Sequence, residues 1–384
     1  MKLLHTGDLH IGMSNYSKLD PETGLDSRLI DFFNTFDLMV DTAISEGVDA
    51  FLLAGDAYKT RDPSPTQQKG FGERIKKLSK AGIPVILVVG NHDTPNAEGK
   101  ANTLDIYSAL EIDNVWVSRK PEFLKIPTKS GLLQVITAPW LHKTEFKDLG
   151  EKLLSFYERI DETCPAIVVG HLEVEGSSMG SEKGLAIGSD VTVPLSLLTD
   201  RRLSYVALGH IHKHQILSSN PPVVYSGSPE RIDFGEAKEE KGFIMIDIPV
   251  PKKATFKLVP SNCRKFLSIN VDLLATDIDP TETVLKEISK NIIDDAIVKV
   301  VINIPADLEK QIEMDKIKKA LTSAFNIAGI SRNVERKERL KLDNQIEVER
   351  LSPLEALQTY FKSKQYSPEK IKLLENLAVK VLES

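Results

Sequence analysis

The chain has 384 residues, of which 41% are hydrophobic and 27% are charged, and its formal net charge is -6. This composition suits a globular protein of two or three domains and excludes collagen-like, disordered and disulfide-framework chains. The longest apolar run, Ile83–Val89, is too short to cross a membrane, and the first residues turn polar too early for a secretory signal. Cys164 and Cys263 are expected to be reduced thiols, so the sequence predicts a cytoplasmic protein.

The first 260 residues alternate short apolar runs with polar or helical stretches, which indicates an α/β domain. Helical spacing in Leu29–Ile44 and Phe71–Leu78 predicts helices outside a buried sheet or pair of sheets. Most of the apolar runs are continuous, as in strands that are buried on both faces. The predicted strands are Leu3–Thr6, Val48–Ala54, Pro84–Val89, Leu132–Ala138, Ala166–Val169, Tyr205–Leu208, Val223–Tyr225 and Gly242–Ile248.

A smaller β-α-β-α-β domain is predicted after residue 261. Its strands are Phe266–Val271 and Ile297–Ile304, its helices are Pro280–Ile292 and Met314–Phe325, and a last strand begins at Gly329.

The C-terminal region is predicted to be a charged linker followed by two amphipathic helices. Ser352-Pro353 and Ser367-Pro368 each pair an N-cap serine with a proline at the first helical position. The predicted organisation is a main domain at 1–261, a capping domain at 262–335, a linker at 336–350 and a helix-turn-helix tail at 351–384.

Five of the predicted strands run into glycine and then directly into Asp, Asn or His. Because ligands bind at the carboxyl ends of strands in α/β sheets, we expect these side chains to converge at one edge. Each fragment alone is more often an incidental loop pair, but the ordered set of five predicts a site. Its candidate metal ligands are Asp8, His10, Asp56, Asn91, His171, His210 and His212.

The ligand types narrow the chemistry of this site. Mixed nitrogen and oxygen ligands without thiolate suit manganese, iron or zinc, and they argue against a structural zinc site or a calcium site. Seven ligands are too many for one ion, whereas one shared carboxylate gives two ions four ligands each. Two adjacent ions are the apparatus for in-line displacement at phosphorus.

These fragments resemble the calcineurin-like metallophosphoesterase superfamily, whose signature is D-x-H, GD, GNH-[DE], H and GH-x-H in that order. The resemblance implies a four-layer α/β/β/α sandwich. It also implies that His92 stabilises or protonates the leaving oxygen and that Asp93 orients His92. One ion would be held by Asp8, His10, Asp56 and His212, and the other by Asp56, Asn91, His171 and His210.

Within the superfamily the chain is most similar to the SbcD-type nuclease components of DNA double-strand-break repair complexes. The similar segments are Asp8–Gly12, Gly55–Tyr58, Arg61–Pro65 and Gly227–Phe234, the last matching a G-S-x-E-R-x-D-F-x-E pattern. The resemblance implies a DNA exonuclease and single-strand or hairpin endonuclease that uses two divalent ions, most naturally manganese. It further implies a homodimer formed through the nuclease domain and an SbcC-type coiled-coil ATPase bound by residues 351–384.

Residue 59 departs from the pattern, because archaeal and eukaryotic members often have histidine three positions after the GD aspartate. Lys59 has no capacity to relay protons at neutral pH, although Lys59 and Arg61 are candidates to hold a DNA phosphate. The basic cluster Arg336-Lys337 with Arg339 is a further candidate DNA contact.

Two alternatives stay open at this point. One is a phosphoprotein phosphatase or cyclic-nucleotide phosphodiesterase of the same superfamily, against which the cap and tail argue because a small substrate needs neither. The other is a non-catalytic scaffold for an ATPase, against which the complete ligand set argues.

Overall fold

A computed structural model describes residues 1–95, 99–180, 191–335 and 368–382, together with five residues of the first tail helix: Leu354, Leu357, Gln358, Tyr360 and Phe361. The chain divides into two compact units. The first comprises residues 1–269, 288–300 and 318–330, and the second comprises residues 270–287, 301–317 and 331–384. The predicted domain boundaries stay predictions. The predicted linker and its basic cluster at residues 336–339 lie outside the described residues.

The first of two six-stranded sheets is built around four parallel strands. Its members are β1 (Lys2–Thr6), β2 (Ala50–Ala54), β3 (Val85–Val88), β4 (Val115–Ser118), β11 (Gly242–Val250) and β12 (Lys253–Pro260). They lie in the order β12-β11-β1-β2-β3-β4, with β1 to β4 parallel. Antiparallel β11 and β12 extend the sheet beyond β1.

The second sheet also has four parallel strands, but it has one antiparallel strand at each edge. Its members are β5 (Glu122–Thr128), β6 (Gly131–Ala138), β7 (Ala166–His171), β8 (Tyr205–Gly209), β9 (Gln215–Ser219) and β10 (Pro222–Tyr225). The order is β5-β6-β7-β8-β10-β9, with β6, β7, β8 and β10 parallel and the two edge strands antiparallel to their neighbours.

Helices cover the outer face of each sheet. On the first sheet lie α1 (Ser27–Ser45), whose N-cap Asp26 accepts from two backbone amides, and α2 (Pro65–Lys80), which begins with a Ser64–Gln67 capping box. The short helices α3 (Asp105–Ala109) and α4 (Lys143–Phe146) precede α5 (Leu149–Tyr157), which packs on the second sheet.

The inner faces of the two sheets share one apolar core, to which Leu52 and Val88 contribute from one sheet and Val169 and Ala207 from the other. This burial on both faces explains the continuous apolar runs of the central strands. The predicted four-layer α/β/β/α sandwich is confirmed.

The region predicted as a cap has the expected element order. It contains β13 (Phe266–Asp272), α6 (Pro280–Ser289), β14 (Ile297–Pro305), α7 (Met314–Ala320) and β15 (Asn326–Glu335), and its strands lie in the order β13-β14-β15. Two helix ends differ from the prediction. Helix α6 ends three residues before Ile292, whose side chain is 78% exposed rather than on the buried face with Ile288. Helix α7 ends at Ala320 rather than at Phe325, and β15 begins at Asn326, earlier than predicted.

The second predicted tail helix is present as α8 (Pro368–Leu382), on which Leu373 and Leu377 are exposed. The five described residues of the first tail helix are also helical. Among all described helices, none combines the length and apolar character that a membrane span requires.

Candidate metal centre

The ends of five strands bring all seven predicted ligands together. Asp8 and His10 follow β1, Asp56 follows β2 and Asn91 follows β3, while His171 ends β7 and both His210 and His212 follow β8. The ligand atoms of Asp8, His10 and His212 lie within 4.8 Å of one another, as do those of Asp8, Asp56 and His171. Asn91 Oδ1 lies 2.9 Å from His171 Nε2 and 3.3 Å from His210 Nδ1.

The backbone at these strand ends is strained. Asp8, His10 and Asp56 have φ angles of +52°, +46° and +52°, in the left-handed region that side chains rarely adopt. The conformation is held by hydrogen bonds from the amides of Asp8 and His10 to the carbonyls of Gly55 and Asp56, each 3.0 Å long. Strain of this kind persists where the surrounding structure over-determines it, which is typical of functional sites.

Glycine allows the two sheets to approach closely at this edge. A Cβ on Gly209 of β8 would lie 1.9 Å from the carbonyl oxygen of Ala54 in β2. Gly55 has a φ of +88°, and a Cβ there would lie 2.1 Å from His171 Nδ1. Any other residue at either position would therefore push the sheet edges apart.

Hydrogen bonds fix the ring orientation of two histidines. His171 Nδ1 lies 2.8 Å from the carbonyl oxygen of Ala54, which can only accept, so Nδ1 donates. His212 Nδ1 likewise donates to Glu236 Oε1 over 2.9 Å. In each neutral ring the Nε2 lone pair is then the remaining ligand position.

In both rings Nε2 faces further candidate ligand atoms. His212 Nε2 lies 3.0 Å from His10 Nε2, and His171 Nε2 lies 3.4 Å from Asp56 Oδ2. Imidazole lone pairs and carboxylate oxygens gathered this closely are the donor set that a divalent transition metal requires. The residues present therefore fit bound metal ions.

At the buried centre, burial and the attraction between opposite charges shift pKa values in opposite directions. Burial raises the pKa of Asp8 and lowers that of His10. Burial also opposes ionisation of Asp56 and His171, but their mutual attraction wins, so the pKa of Asp56 falls well below its usual range and that of His171 rises to about 9. Cations between these groups would relieve both the burial of carboxylate charge and the competition for protons.

His92 lies beside the ligands, with its ring centroid 4.8 Å from that of His10. Its Nδ1 donates to the carbonyl oxygen of Lys59 over 2.8 Å, and its backbone amide donates to Asp56 Oδ1 over 2.9 Å. A ring nitrogen of His92 also lies within 4.8 Å of a ring nitrogen of His10 and a carboxylate oxygen of Asp56. The ring is thus held at the rim of the centre by a backbone carbonyl.

Asp93 differs from its predicted role in orienting His92. The buried Asp93 carboxylate accepts from the backbone amides of Ala57, Tyr58 and Gly90 over 3.1–3.2 Å. Burial and the nearby Asp56 raise the pKa of Asp93 to about 7. Because the turn after β3 directs this carboxylate back at the loop after β2, Asp93 ties the two loops together.

The candidate phosphate-binding residues lie on that same loop. Lys59 is partly buried, which lowers the pKa of its ammonium group. Arg61 donates from Nε to the carbonyl oxygen of Thr94, one residue beyond Asp93. Both residues therefore lie near His92 in space, although they belong to a different loop of the chain.

The model of the family described as calcineurin-like phosphoesterase matches residues 1–214, more than half of the chain. This chain belongs to that family. Metal-dependent phosphoester hydrolysis, predicted from the ligand set, is therefore confirmed as its reaction class.

Three relatives of this calcineurin-like phosphoesterase are similar over about two thirds of the chain. The SbcD component of the SbcCD nuclease of Bacillus subtilis is 27% identical over 281 residues, covering 67% of this chain and 69% of the relative. The protein of the same name from Staphylococcus epidermidis is 30% identical over 263 residues, covering 65% and 66%. A "DNA double-strand break repair protein" of Sulfurisphaera tokodaii is 28% identical over 257 residues, covering 64% and 59%. The predicted SbcD-type resemblance is confirmed, and the matches span about two thirds of these relatives' lengths.

Glu236 is a site residue that sequence reasoning missed. It is fully buried, it orients His212, and its second oxygen lies 2.9 Å from the ammonium group of the buried Lys241. Burial alone would raise its pKa, but His212 and Lys241 hold that pKa at about 2. The signal was available, since Glu236 is the final acidic position of the G-S-x-E-R-x-D-F-x-E pattern that resembles the SbcD-type phosphoesterases.

Proposed function

We propose that this chain is a two-metal DNA nuclease, acting as an exonuclease and as an endonuclease on single strands and hairpins. The observation that carries the proposal is the convergence of seven nitrogen and oxygen ligands from five strand ends. The relatives whose names denote nuclease and break-repair proteins support DNA as the substrate.

The ligands divide into two sets that share Asp56. Asp8, His10 and His212 would complete one set, since their ligand atoms are mutually close. Asn91, His171 and His210 would complete the other, since Asn91 Oδ1 contacts both rings. Bound divalent ions would supply an ionised water and neutralise charge on the phosphate oxygens. The mixed ligand set suits manganese.

His92 acts on the leaving oxygen in this proposal. With Nδ1–H bound to the Lys59 carbonyl, a protonated His92 presents its Nε2–H to an oxygen at the rim of the centre. This bond uses the backbone of residue 59, so it does not depend on whether that residue is lysine or histidine. The Lys59 and Arg61 side chains would hold the phosphate of the bound strand.

Cleavage assays on single-stranded, blunt and hairpin DNA, with manganese or with EDTA, test this proposal. We expect cleavage only with the metal and two metal ions per chain by elemental analysis. Hydrolysis of p-nitrophenyl phosphate far faster than of DNA would favour a monoester phosphatase instead. A chain that binds no metal would favour the scaffold.

The same proposal includes an ATPase partner for the C-terminal tail. The exposed Leu373 and Leu377 of α8 suit docking of residues 351–384 on an SbcC-type coiled-coil ATPase. A chain lacking residues 346–384 should lose ATPase binding and keep metal-dependent cleavage of single-stranded DNA. Unchanged ATPase binding by the truncated chain would contradict the docking proposal, and global unfolding would show that the tail folds back on the rest of the chain.

The surface of the proposed homodimer is inferred from exposed apolar side chains. Ile106 of α3 and Leu110, which directly follows this helix, are exposed, whereas Phe71 and Leu78 of α2 are buried in their own core. We therefore place the dimer contact at α3.

The two free cysteines are consistent with work on DNA in the cytoplasm.

A further inference from the structure

A cavity of about 630 Å³ lies beside the metal centre in the first unit. Trp140 lines this cavity, and its backbone amide donates over 3.0 Å to the carbonyl oxygen of Val89, at the end of β3. The same residue borders a small recess that His171 and His210 line. Trp140 therefore stands between the cavity, here called the Trp140 cavity, and two of the proposed metal ligands.

The lining of the Trp140 cavity is suited to a flat ring. The rings of Trp140 and His142 meet edge to face, with centroids 4.8 Å apart at 74°, and both line the cavity. Proteins bind unpaired nucleobases by stacking them on aromatic side chains of this kind. The volume lies within the range of sites that hold small molecules, so one nucleoside fits.

The charges around the cavity favour a base over a phosphate. Arg119 is already paired with Asp105 over 2.9 Å. The other charged residues that line the cavity are the cation Lys120 and the carboxylates Glu122 and Glu145. An anionic group would be repelled by these carboxylates, whereas base amino groups would find acceptors there. The phosphate itself belongs at the metal centre on the other side of Trp140.

We propose that the Trp140 cavity receives one unstacked nucleobase of the DNA strand, next to the phosphodiester bond held at the metal centre. The inference rests on the proposed nuclease function and adds a subsite for strand recognition. The base stacks on Trp140. Strands whose bases are already unpaired enter this subsite without the cost of opening a duplex.

Fluorescence tests the subsite directly, because Trp140 is one of only two tryptophans. In Trp116→Phe, which replaces a tryptophan of β4, the remaining emission reports on Trp140. We titrate this protein in EDTA, so that no strand is cleaved, with a single-stranded oligonucleotide and with an abasic oligonucleotide of the same length. The base-containing strand should quench Trp140 and bind roughly 5- to 100-fold more tightly than the abasic strand, the range expected for one stacked base.

The remaining arms separate the alternatives. Trp140→Phe should keep most of the preference for bases and Trp140→Ala should lose it. Equal binding of both oligonucleotides, or quenching by neither, would overturn the subsite. Quenching by deoxyadenosine monophosphate at the same affinity as by the strand would also overturn it, because the cavity would then be a product site.

Failure of the subsite is distinguishable from failure of the nuclease proposal. Hydrolysis of bis-p-nitrophenyl phosphate by the unsubstituted chain with manganese tests the diesterase chemistry without any base. If that hydrolysis occurs while binding ignores bases, the nuclease proposal stands and the subsite does not. Trp116→Phe should cleave DNA at the unsubstituted rate, which makes it the matched control.

Discussion

The two sheets contribute unlike groups to the metal centre. The first sheet provides the proposed oxygen ligands Asp8, Asp56 and Asn91 together with one imidazole, whereas the second provides only imidazoles. Neither sheet alone has a complete ligand set, so the centre exists only where the two edges meet. Asp8 joins them directly, since its carboxylate accepts the backbone amide of His210 from the other sheet over 2.9 Å. This difference predicts that removing a ligand from either sheet abolishes activity. Removing a group that only orients a ligand should instead reduce metal binding or turnover in part.

The largest effect is expected from removing a ligand on either side. Asp8→Asn from the first sheet and His210→Ala from the second should each abolish manganese-dependent DNA cleavage, while circular dichroism and thermal unfolding show an intact fold. The reason is that each change removes a direct ligand rather than core volume. Asp49→Asn is a matched control, because Asp49 is a buried carboxylate at the opposite end of β2. Normal turnover by either ligand variant would contradict the two-metal interpretation.

His92→Ala should lower turnover by about 10²–10⁴-fold while both metal ions stay bound, as expected for a positioned acid. Single-turnover kinetics and elemental analysis measure the two quantities separately. His214→Ala serves as a control, since His214 binds the carbonyl of Tyr225 and is not among the predicted ligands. A variant that keeps only one metal would show that His92 is itself a ligand, as its closeness to His10 and Asp56 allows.

Glu236→Gln should weaken metal binding by about 10–100-fold, the usual effect of losing a carboxylate that orients a ligand histidine. Chelator competition measures the affinity. Glu239→Gln is the matched control, because Glu239 pairs with the same Lys241 over 2.8 Å. Equal affinities of the two variants would mean that the His212–Glu236 bond does not tune the centre.

The smallest effect concerns a contact between the sheets away from the ligands. Burial lowers the pKa of His5 in β1 to about 3, and its ring contacts the Tyr205 hydroxyl and the Leu208 carbonyl of β8 over 3.2 Å each. The folded chain therefore keeps His5 neutral below pH 6.5, where the unfolded chain takes up a proton. This contribution to stability is fully present above pH 6.5 and is lost toward pH 3 at about 1.4 kcal/mol per pH unit.

Denaturant unfolding between pH 7 and pH 4 measures that slope. His5→Gln should reduce the slope of the unfolding free energy against pH by the amount that corresponds to about one proton, even if the variant is less stable at neutral pH. An identical slope in the variant would show that His5 is not the titrating group between the sheets.

The sequence predicted the interior of the fold and missed its margins, for one physical reason. All eight strands predicted in the first 260 residues are interior strands of the two six-stranded sheets, whereas β4, β5, β9 and β12, which were not predicted, are the four edge strands of these sheets. Interior strands are covered on both faces and have continuous apolar runs, but β12 alternates half-buried and exposed positions and includes Lys253 and Lys257. Continuous apolar runs therefore identify the strands that carry ligands and pass over those that close the sheets.

The same reasoning explains why the predicted ligands lie close together. Side chains that follow strand ends could be placed together because parallel strands present their carboxyl ends at one edge. The group that holds His92 could not be predicted, since it is the backbone carbonyl of Lys59 and every residue has one. The resemblance implied that Asp93 orients His92, but the turn directs its carboxylate to backbone amides.

The contact between Gly209 and Ala54 has a consequence for the choice of metal. The backbones of β8 and β2 already touch there, so the two sheet edges cannot move closer, and the shared core keeps them from moving apart. The spacing of ligands across the gap is therefore set by the main chain before any ion arrives. A site of fixed dimensions favours ions whose radius and preferred bond lengths match it, so these glycines contribute to metal selectivity without contacting the metal.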